Sequence, residues 1–460
     1  MSQSGLAQAQ DKMAAADVHQ RAIDVFTHYY GLLESGDTGM IREADIEPLS
    51  GVDHASRLSI SEADQRAALA QTAVIKLNGG LGTSMGMDKA KSLLEVRPGL
   101  TFLDIIAGQV QSMRATYDVP LPLVFMNSFR TRDDTLAALA SYTDLATDGL
   151  GLDFLQNREP KLLETDLTPV EWPADPTLEW CPPGHGDLYT ALEVSGILKR
   201  LVDAGFRYAT VSNSDNLGAA PDAAMAGWFA QTGAPYAAEV CRRTPADVKG
   251  GYLVVRKSDG RLVLRETAQT HDDDLEASSD LTKHAYFHTN NLWFDLVAIQ
   301  EALLARKGVL GLPLIRNTKT VDPADGSSPA VIQIETAMGA AVEVFEGATA
   351  IEVDRSRFLP VKTTNDLLLL RSDVYALGDD FRIAAQVEEI PAIDLDGAYF
   401  KNIGDFMARI PEAPSLVGAS SFTVRGDWTF AGDVTVVGAA SLESAGVPER
   451  VEPGTVLGQG

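Results

Sequence analysis

The densest chemical signal in this chain is a run of four glycines within eight residues, Gly79-Gly80-Leu81-Gly82-Thr83-Ser84-Met85-Gly86, entered through Leu77 and Asn78. Glycines leave backbone N–H groups bare and able to converge on an anion, and the segment that follows reads as a helix whose N-terminus would add its dipole. The chemistry implied is phosphate binding. A Walker loop is excluded, because Gly86-Met87-Asp88 stands where Gly-Lys-Ser/Thr must close it. The dinucleotide fingerprint fits poorly, since its third glycine falls one residue late in Gly80, Gly82 and Gly86. Lys89 and Lys91 follow the loop and would set positive charge beside a polyphosphate.

Other positions offer complementary chemistry. In Pro182-Pro183-Gly184-His185-Gly186-Asp187 a rigid turn presents one histidine between two glycines, which give it no apolar face to fill. Asp215 lies among Asn213, Ser214 and Asn216 after an apolar run. A lone carboxylate at a strand end suits a Mg2+ that keeps waters and takes its remaining ligands from phosphates, although an Asx turn or helix cap would use the same residues. Lys362 is a second candidate cation for phosphate. Lys249-Gly250-Gly251, Thr289-Asn290-Asn291 and Ile332-Gln333-Ile334-Glu335-Thr336 set amides and carboxylates beside apolar residues, as hydroxyl-rich ligands or simple turns both require. His284 and His288 are spaced as helical metal ligands would be, but Tyr286 and Phe287 between them read as a strand. The run His271-Asp272-Asp273-Asp274 reads as a solvated acidic loop, and Cys181 and Cys241 as small buried filler.

The elements that must position these groups are legible as periodicities. Ala22, Ile23, Phe26, Tyr29, Tyr30 and Leu33 recur at three- and four-residue steps, one face of a helix, and the N-terminal piece to about residue 70 is expected to be helical. Short apolar runs at AVIKL, LVFMNSF and YATVSNSDNLG each precede a polar turn and a helical stretch, which predicts a largely parallel sheet covered on both faces. In such sheets ligands sit beyond the carboxyl ends of the strands, where Asn78, Asn127 and Ser212 to Asn216 fall. Near the end of the chain Phe422, Trp428 and Val434 are six apart, as are Val424, Phe430 and Val436, with Gly426, Gly432 and Gly438 in the same step. That period predicts a parallel β-helix, with short meanders as the alternative. The organisation expected is an N-terminal helical segment (1–70), a catalytic domain (71–370), a connector (371–415) and a β-helix domain (416–460).

Composition narrows the class. At 460 residues the chain exceeds the ~250 to 300 residues of one core, and 45% hydrophobic with 22% charged residues is an ordinary globular balance. A formal net charge of −26 disfavours nucleic acid and anionic membranes as partners. The opening residues lack a signal peptide, no apolar run is long enough to span a bilayer, and two cysteines make no disulfide framework, so a cytoplasmic protein is expected.

In combination, LNGGLGTSMG, PPGHGD, SNSDNLGA, ADVKGG, HTNNLW, IQIETAMGAA and RSRFLPVKTTNDLLL resemble, in order and spacing, the eukaryotic-type UDP-glucose pyrophosphorylases, over roughly residues 15 to 460. The resemblance implies an α/β nucleotidyltransferase-type sheet followed by a left-handed parallel β-helix. It implies UTP contacts at Leu77, Asn78, Gly79, Gly80, Gln156, Gly184, Asn213 and Ser214, with Lys91 and Lys362 at the phosphates and Asp215 as the Mg2+ ligand. His185 would touch glucose-1-phosphate, with Gly251, Asn290, Asn291 and Glu335 on the sugar. Lys91, Lys362 and His185 are then the catalytic candidates. MDKAK stands where animal members carry CKGPK, and the chain stops about one coil before the animal and fungal enzymes, so a monomer or homodimer is expected.

The reaction so implied is attack of glucose-1-phosphate on the α-phosphorus of UTP with pyrophosphate leaving in line. It needs no side-chain nucleophile, and the attacking phosphate is already ionised. Three alternatives remain at this stage: a uridylyltransferase for galactose-1-phosphate or N-acetylglucosamine-1-phosphate, an NAD-binding oxidoreductase using Gly80, Gly82, Gly86 and Asp104, and a noncatalytic scaffold.

Overall fold

A computed structural model describes residues 2–458 apart from 245, 246, 248, 249 and 445, with side chains from residue 5 onward. Lys249 therefore lies outside the described residues. Seven strands form the central sheet: β1 (Thr72–Asn78), β2 (Leu123–Asn127), β3 (Asp153–Leu155), β4 (Tyr208–Asn213), β5 (Tyr236–Arg242), β6 (Tyr286–Asp295) and β7 (Thr349–Glu352), in the order β7-β5-β6-β4-β1-β2-β3. All neighbours run parallel except at β6, which is antiparallel to both β4 and β5.

The strands are apolar on both faces because both are covered. Val74 joins a core with the helices Phe102–Tyr117 and Ala223–Thr232, whereas Ala73 and Ile75 join another with Leu188–Val194, Ile197–Asp203 and Leu296–Ala305. At about 25 cal/mol per Å2 this double burial is the main source of stability. Parallel register then aligns the strand ends, with Asn78 beside Asn127 and Leu77 beside Asn213.

The N-terminal helix Gln20–Glu34 buries Ala22, Ile23, Phe26, Tyr29, Tyr30 and Leu33 as its spacing predicts. The helical expectation to residue 70 holds only in part. Between this helix and the next, Glu62–Leu69, the chain is mostly extended or turn and adds the strand Ile46–Pro48 to Tyr252–Arg256. Gly36, Gly39 and Gly51 at positive φ, together with Pro48, break the helical path. Among the described residues no helix is long and apolar enough to cross a membrane.

Near the carboxyl end, Ser415–Arg425 lies parallel between Ala392–Leu395 and Thr435–Glu443, with Phe422 beside Ile393 and Ala440. Trp428–Phe430 pairs in parallel with Glu449–Val451, and Thr435–Glu443 with Val456–Leu457. Phe422, Val424, Phe430, Val434 and Val436 are buried, and they are continuous with the core on the Phe102–Tyr117 side of the central sheet.

Candidate active site

The cleft opens where β1 and β4 end. Asn78 donates through Nδ2 to Asn127 Oδ1 (2.8 Å) and Thr135 Oγ1 (2.9 Å), so its side chain is scaffold and its backbone faces the cleft. Among the described residues the N–H groups of Gly79 and Gly80 find no acceptor within the protein. A side chain at Gly79 would meet Gln156 Oε1 at 2.9 Å, which restricts the position to glycine unless Gln156 moves.

The helix expected directly after the loop is not there. Gly82 and Gly86 adopt left-handed backbone around the single turn Thr83–Met85, Lys91–Leu93 is another 3-10 turn, and the next α-helix begins only at Phe102. Its start is capped by Thr101 and Asp104 reciprocally, and Asp104 also accepts from Tyr142 Oη (2.7 Å). This overturns the oxidoreductase alternative: the glycines open no dinucleotide-binding helix, and Asp104 is occupied as a cap. Positive charge comes instead from Lys91, whose backbone N–H closes the loop on Gly80 O (3.1 Å).

Lys91 Nζ donates to Asp215 Oδ2 at 2.7 Å. The other carboxylate oxygen, Oδ1, is buried without a partner, as are Ser214 Oγ and Ser92 Oγ. An unpartnered anionic oxygen is costly when dry, so this edge of the cleft is chemically incomplete without a cation or donor. Its donor set suits a Mg2+ that completes its shell with water and phosphate oxygens. Among the described residues no group of three or more His, Cys, Asp or Glu could hold a metal by itself.

Opposite stands the PPGHGD turn. Gly184 has φ +75°, and a side chain there would lie 2.6 Å from Thr336 O. Gly186 N–H donates to Thr336 O (2.8 Å) and Thr336 N–H to Pro183 O (3.0 Å), lacing the turn to the segment after Glu335. Gln156 Nε2 donates to Gly184 O (2.8 Å), and Asp187 accepts from the Asn157 N–H (2.7 Å) and Nδ2 (2.8 Å). The Met338 N–H donates to His185 Nδ1 (3.0 Å), so Nδ1 must be the acceptor nitrogen and the neutral ring carries its proton on Nε2. Burial lowers the His185 pKa to about 4, and the ring is an uncharged donor at neutral pH.

Leu77, Asn78, Gly79, Gly80, Lys91, Gln156, Gly184, His185, Asn213, Ser214 and Asp215 all line this one cleft of about 300 Å3. Pro182 at the head of the PPGHGD turn lines it too, as do Ser92 and Met126, which are unforeseen from sequence because nothing in their spacing marks them. A tighter cavity of about 30 Å3 behind the PPGHGD turn has room for water, not for a nucleotide.

The remaining candidates are not gathered here. Lys362 is exposed on a neighbouring cavity of about 240 Å3 with Asp247 and Arg355, its Nζ 5.9 Å from the Phe287 ring centre. The adjoining Val361 N–H nevertheless donates to Asp215 O (3.1 Å). Asn290, at φ 62°, donates to Asn213 Oδ1 (3.2 Å). Asn291 is wholly engaged: Nδ2 donates to Glu239 Oε2 and Arg357 O, and Oδ1 accepts from Asn216. Gly251 is buried, with its carbonyl accepting from the His288 N–H (2.9 Å). Glu335 accepts from Asn317 Nδ2 (2.9 Å).

His288 is buried close to His185 with Nε2 unpartnered, and burial lowers its pKa to about 3. His284 instead bonds Glu43 (2.9 Å), so the two do not act as a pair. Asp274 of the acidic run is tied to Arg265 and the Glu43 N–H. Cys181 and Cys241 are buried free thiols.

Comparison with known proteins gives one consistent match. The family model described as UTP--glucose-1-phosphate uridylyltransferase covers residues 23–437. The Saccharomyces cerevisiae protein named UTP--glucose-1-phosphate uridylyltransferase is 42% identical over 377 residues, 81% of this chain and 74% of its own length. A solved structure titled UDP-glucose phosphorylase from Trypanosoma brucei superposes with a TM-score of 0.91 at 40% identity, covering 99% of both chains. A mutant UDP-glucose pyrophosphorylase from Leishmania major, in complex with UDP-glucose, gives 0.91 at 39% identity over 99% of this chain and 98% of that one.

Proposed function

The chain belongs to the UTP–glucose-1-phosphate uridylyltransferase family, and from that premise we propose that it transfers the uridylyl group of UTP to glucose-1-phosphate, giving UDP-glucose and pyrophosphate. The observation that carries this reading is the single cleft in which free glycine amides, the Lys91–Asp215 pair and the uncharged donor His185 meet.

An oxygen of the sugar phosphate forms a bond to the α-phosphorus while the bridging bond to the β-phosphate breaks, the electron pair leaving with pyrophosphate. Both reactants are anions, so the residues' task is to hold them together and to meet the charge that develops. The amides of Gly79 and Gly80 and the ammonium of Lys91 receive UTP phosphates, and Gln156 and Gly184 flank the base. Asn213 and Ser214 lie along the nucleotide. His185 donates from Nε2 to the sugar phosphate without adding charge. Lys362 reaches the phosphates from the far side; support for this is the bond from Val361 to the Asp215 backbone, which holds its segment beside the cleft. Gly251, Asn290, Asn291 and Glu335 frame the sugar, Asn291 acting through the buried network that fixes its neighbours. Asp215 would hold Mg2+ through its unpartnered oxygen. When bound, that ion supplies charge neutralisation at the phosphates.

We extend the proposal to the domain limits and context stated above. The parallel layers from residue 416 onward are read as coils of a left-handed β-helix, each spanning three six-residue units, because Phe422 lies beside Ala440. The net charge of −26 and the two-residue strand Val456–Leu457 at the sheet edge support a monomer or homodimer. Two buried free thiols support a reducing cytoplasm.

The test is pyrophosphate release with UTP and a panel of sugar-1-phosphates, with and without Mg2+. Turnover requiring UTP, glucose-1-phosphate and Mg2+ is expected. Equal use of ATP or dTTP would overturn the uridylyl reading, and preference for galactose-1-phosphate or N-acetylglucosamine-1-phosphate would replace the sugar.

A further inference from the structure

Lys76 sits in β1 between Ile75 and Leu77 with no exposed surface, directly after the apolar run Ala73-Val74-Ile75. A dry ammonium group is costly unless its donors are used, and a Leu or Val at this place would suit the sheet and core better. Its Nζ donates to Ser212 Oγ at 2.7 Å and to Ala219 O at 2.8 Å. Ser212 is the residue opposite Lys76 in the parallel ladder, and Ala219 lies beyond the turn that follows β4. One lysine side chain thus ties together the two ends of the segment carrying Asn213, Ser214 and Asp215.

The rest of that segment is held by the chain at residues 356–359 and by the Asn291 side chain. Asn216 donates to Asn291 Oδ1 and Arg357 O and accepts from the Leu359 N–H. A side chain at Gly218 would lie 2.3 Å from Ser356 O. The charged groups facing Lys76 are Arg357, Glu239 and Asp215, and burial with Arg357 outweighs the carboxylates, lowering its pKa to about 7. Lys76 does not line the cleft, so it makes no contact with a ligand there and acts on the chemistry through the loop it holds and through its charge near Asp215.

We propose that Lys76 is a positioning residue that clamps both ends of the Asp215 loop and so fixes the carboxylate against Lys91. The inference rests on the reading of Asp215 as a group that acts on UTP and its metal. It gives a conformational purpose to a lysine whose two hydrogen-bond acceptors both bracket that loop.

The test uses the full chain as Lys76→Met, Ser212→Ala and Asp215→Asn. It measures kcat, KM for both substrates, thermal unfolding, and Mn2+ binding in the presence of UTP by water-proton relaxation. Lys76→Met is expected to lower kcat and weaken Mn2+ binding by about 10- to 100-fold, the range for groups that orient a metal-side ligand. KM for glucose-1-phosphate should change less than Mn2+ binding, because Asn290 and Asn291 meet the clamped segment only through Asn213 and Asn216 and keep their own strand. General loosening would lower the unfolding temperature without this split. Ser212→Ala, which removes one of the two acceptors, should act in the same direction by roughly threefold. Unchanged kcat and Mn2+ binding in Lys76→Met, with Asp215→Asn impaired, overturns the clamp. If Lys76→Met does not fold, unchanged Mn2+ binding in Ser212→Ala does so instead. An unimpaired Asp215→Asn would overturn the reading of Asp215 itself, whatever Lys76 does.

Discussion

The two sides of the cleft are built differently. On the nucleotide side the candidates other than Lys362 line one cavity, and several are held by internal bonds: Asn78 on Asn127, Gln156 on Gly184, Lys91 on Asp215. On the sugar and far-phosphate side, Lys362 projects into another cavity, while Asn290, Asn291 and Glu335 spend polar atoms on protein partners. The first side is preorganised. To meet substrate as proposed, Asn290 and Glu335 must exchange internal bonds for substrate bonds and Lys362 must move, whereas Asn291 acts from where it stands. UTP would therefore meet a formed surface and glucose-1-phosphate an adjustable one.

Removing the carboxylate gives the sharpest test of the formed side. Asp215→Ala should lower kcat at least about 1,000-fold, because it removes the proposed metal contact and the partner of Lys91. Its unfolding temperature should change little, since no core packing depends on this carboxylate, and near-normal turnover would break the comparison. Lys362→Ala probes the adjustable side. If its ammonium reaches the phosphates only as charge develops, kcat should fall by about 100-fold while KM for UTP hardly moves. A change confined to KM would make it an ordinary binding group and erase the contrast.

Gly184→Ala tests the lacing of the PPGHGD turn. Positive φ and the nearby Thr336 carbonyl make a side chain strained, so a stability loss of roughly 1 to 3 kcal/mol is expected in denaturant melts, with weaker UTP binding. Wild-type stability would mean that the turn is looser than its bonds imply.

The smallest effect concerns pH. The His288 pKa is lowered from 6.5 to about 3, so the unfolded chain binds its proton first as pH falls, and stability is lost progressively below about 6.5. His288→Gln should reduce that loss by roughly 2 kcal/mol near pH 5, as read from unfolding at several pH values. The His185 ring, lowered to about 4, predicts no His185-dependent step in kcat/KM between pH 5.5 and 8. Such a step that disappears in His185→Gln would require a protonated ring in the site.

Much of this was legible in the chain. Apolar runs ending in small polar residues gave the strands, and their parallel order put Asn78, Asn127 and Asn213 at one edge. Glycine density marked the loop, and the flanking glycines singled out His185. What sequence could not resolve was where long side chains end. Lys91 and Lys362 read alike as free cations, yet one is paired with Asp215 and the other stands in a different cavity. The expected helix after the loop failed because Gly82 and Gly86 take left-handed backbone, a choice that local spacing does not dictate.

Residue type and order alone determined the sheet class, the glycine-rich loop and the family, since each depends on periodicity or on short segments whose backbone needs are local. Tertiary structure decided the state of each functional group: the neutral His185 tautomer set by Met338, the unpartnered oxygen of Asp215, and the dry Nζ of Lys76 between Ser212 and Ala219. Burial and hydrogen-bond partners arise from residues far apart in the chain, and they set charge and tautomer, which composition and spacing leave open.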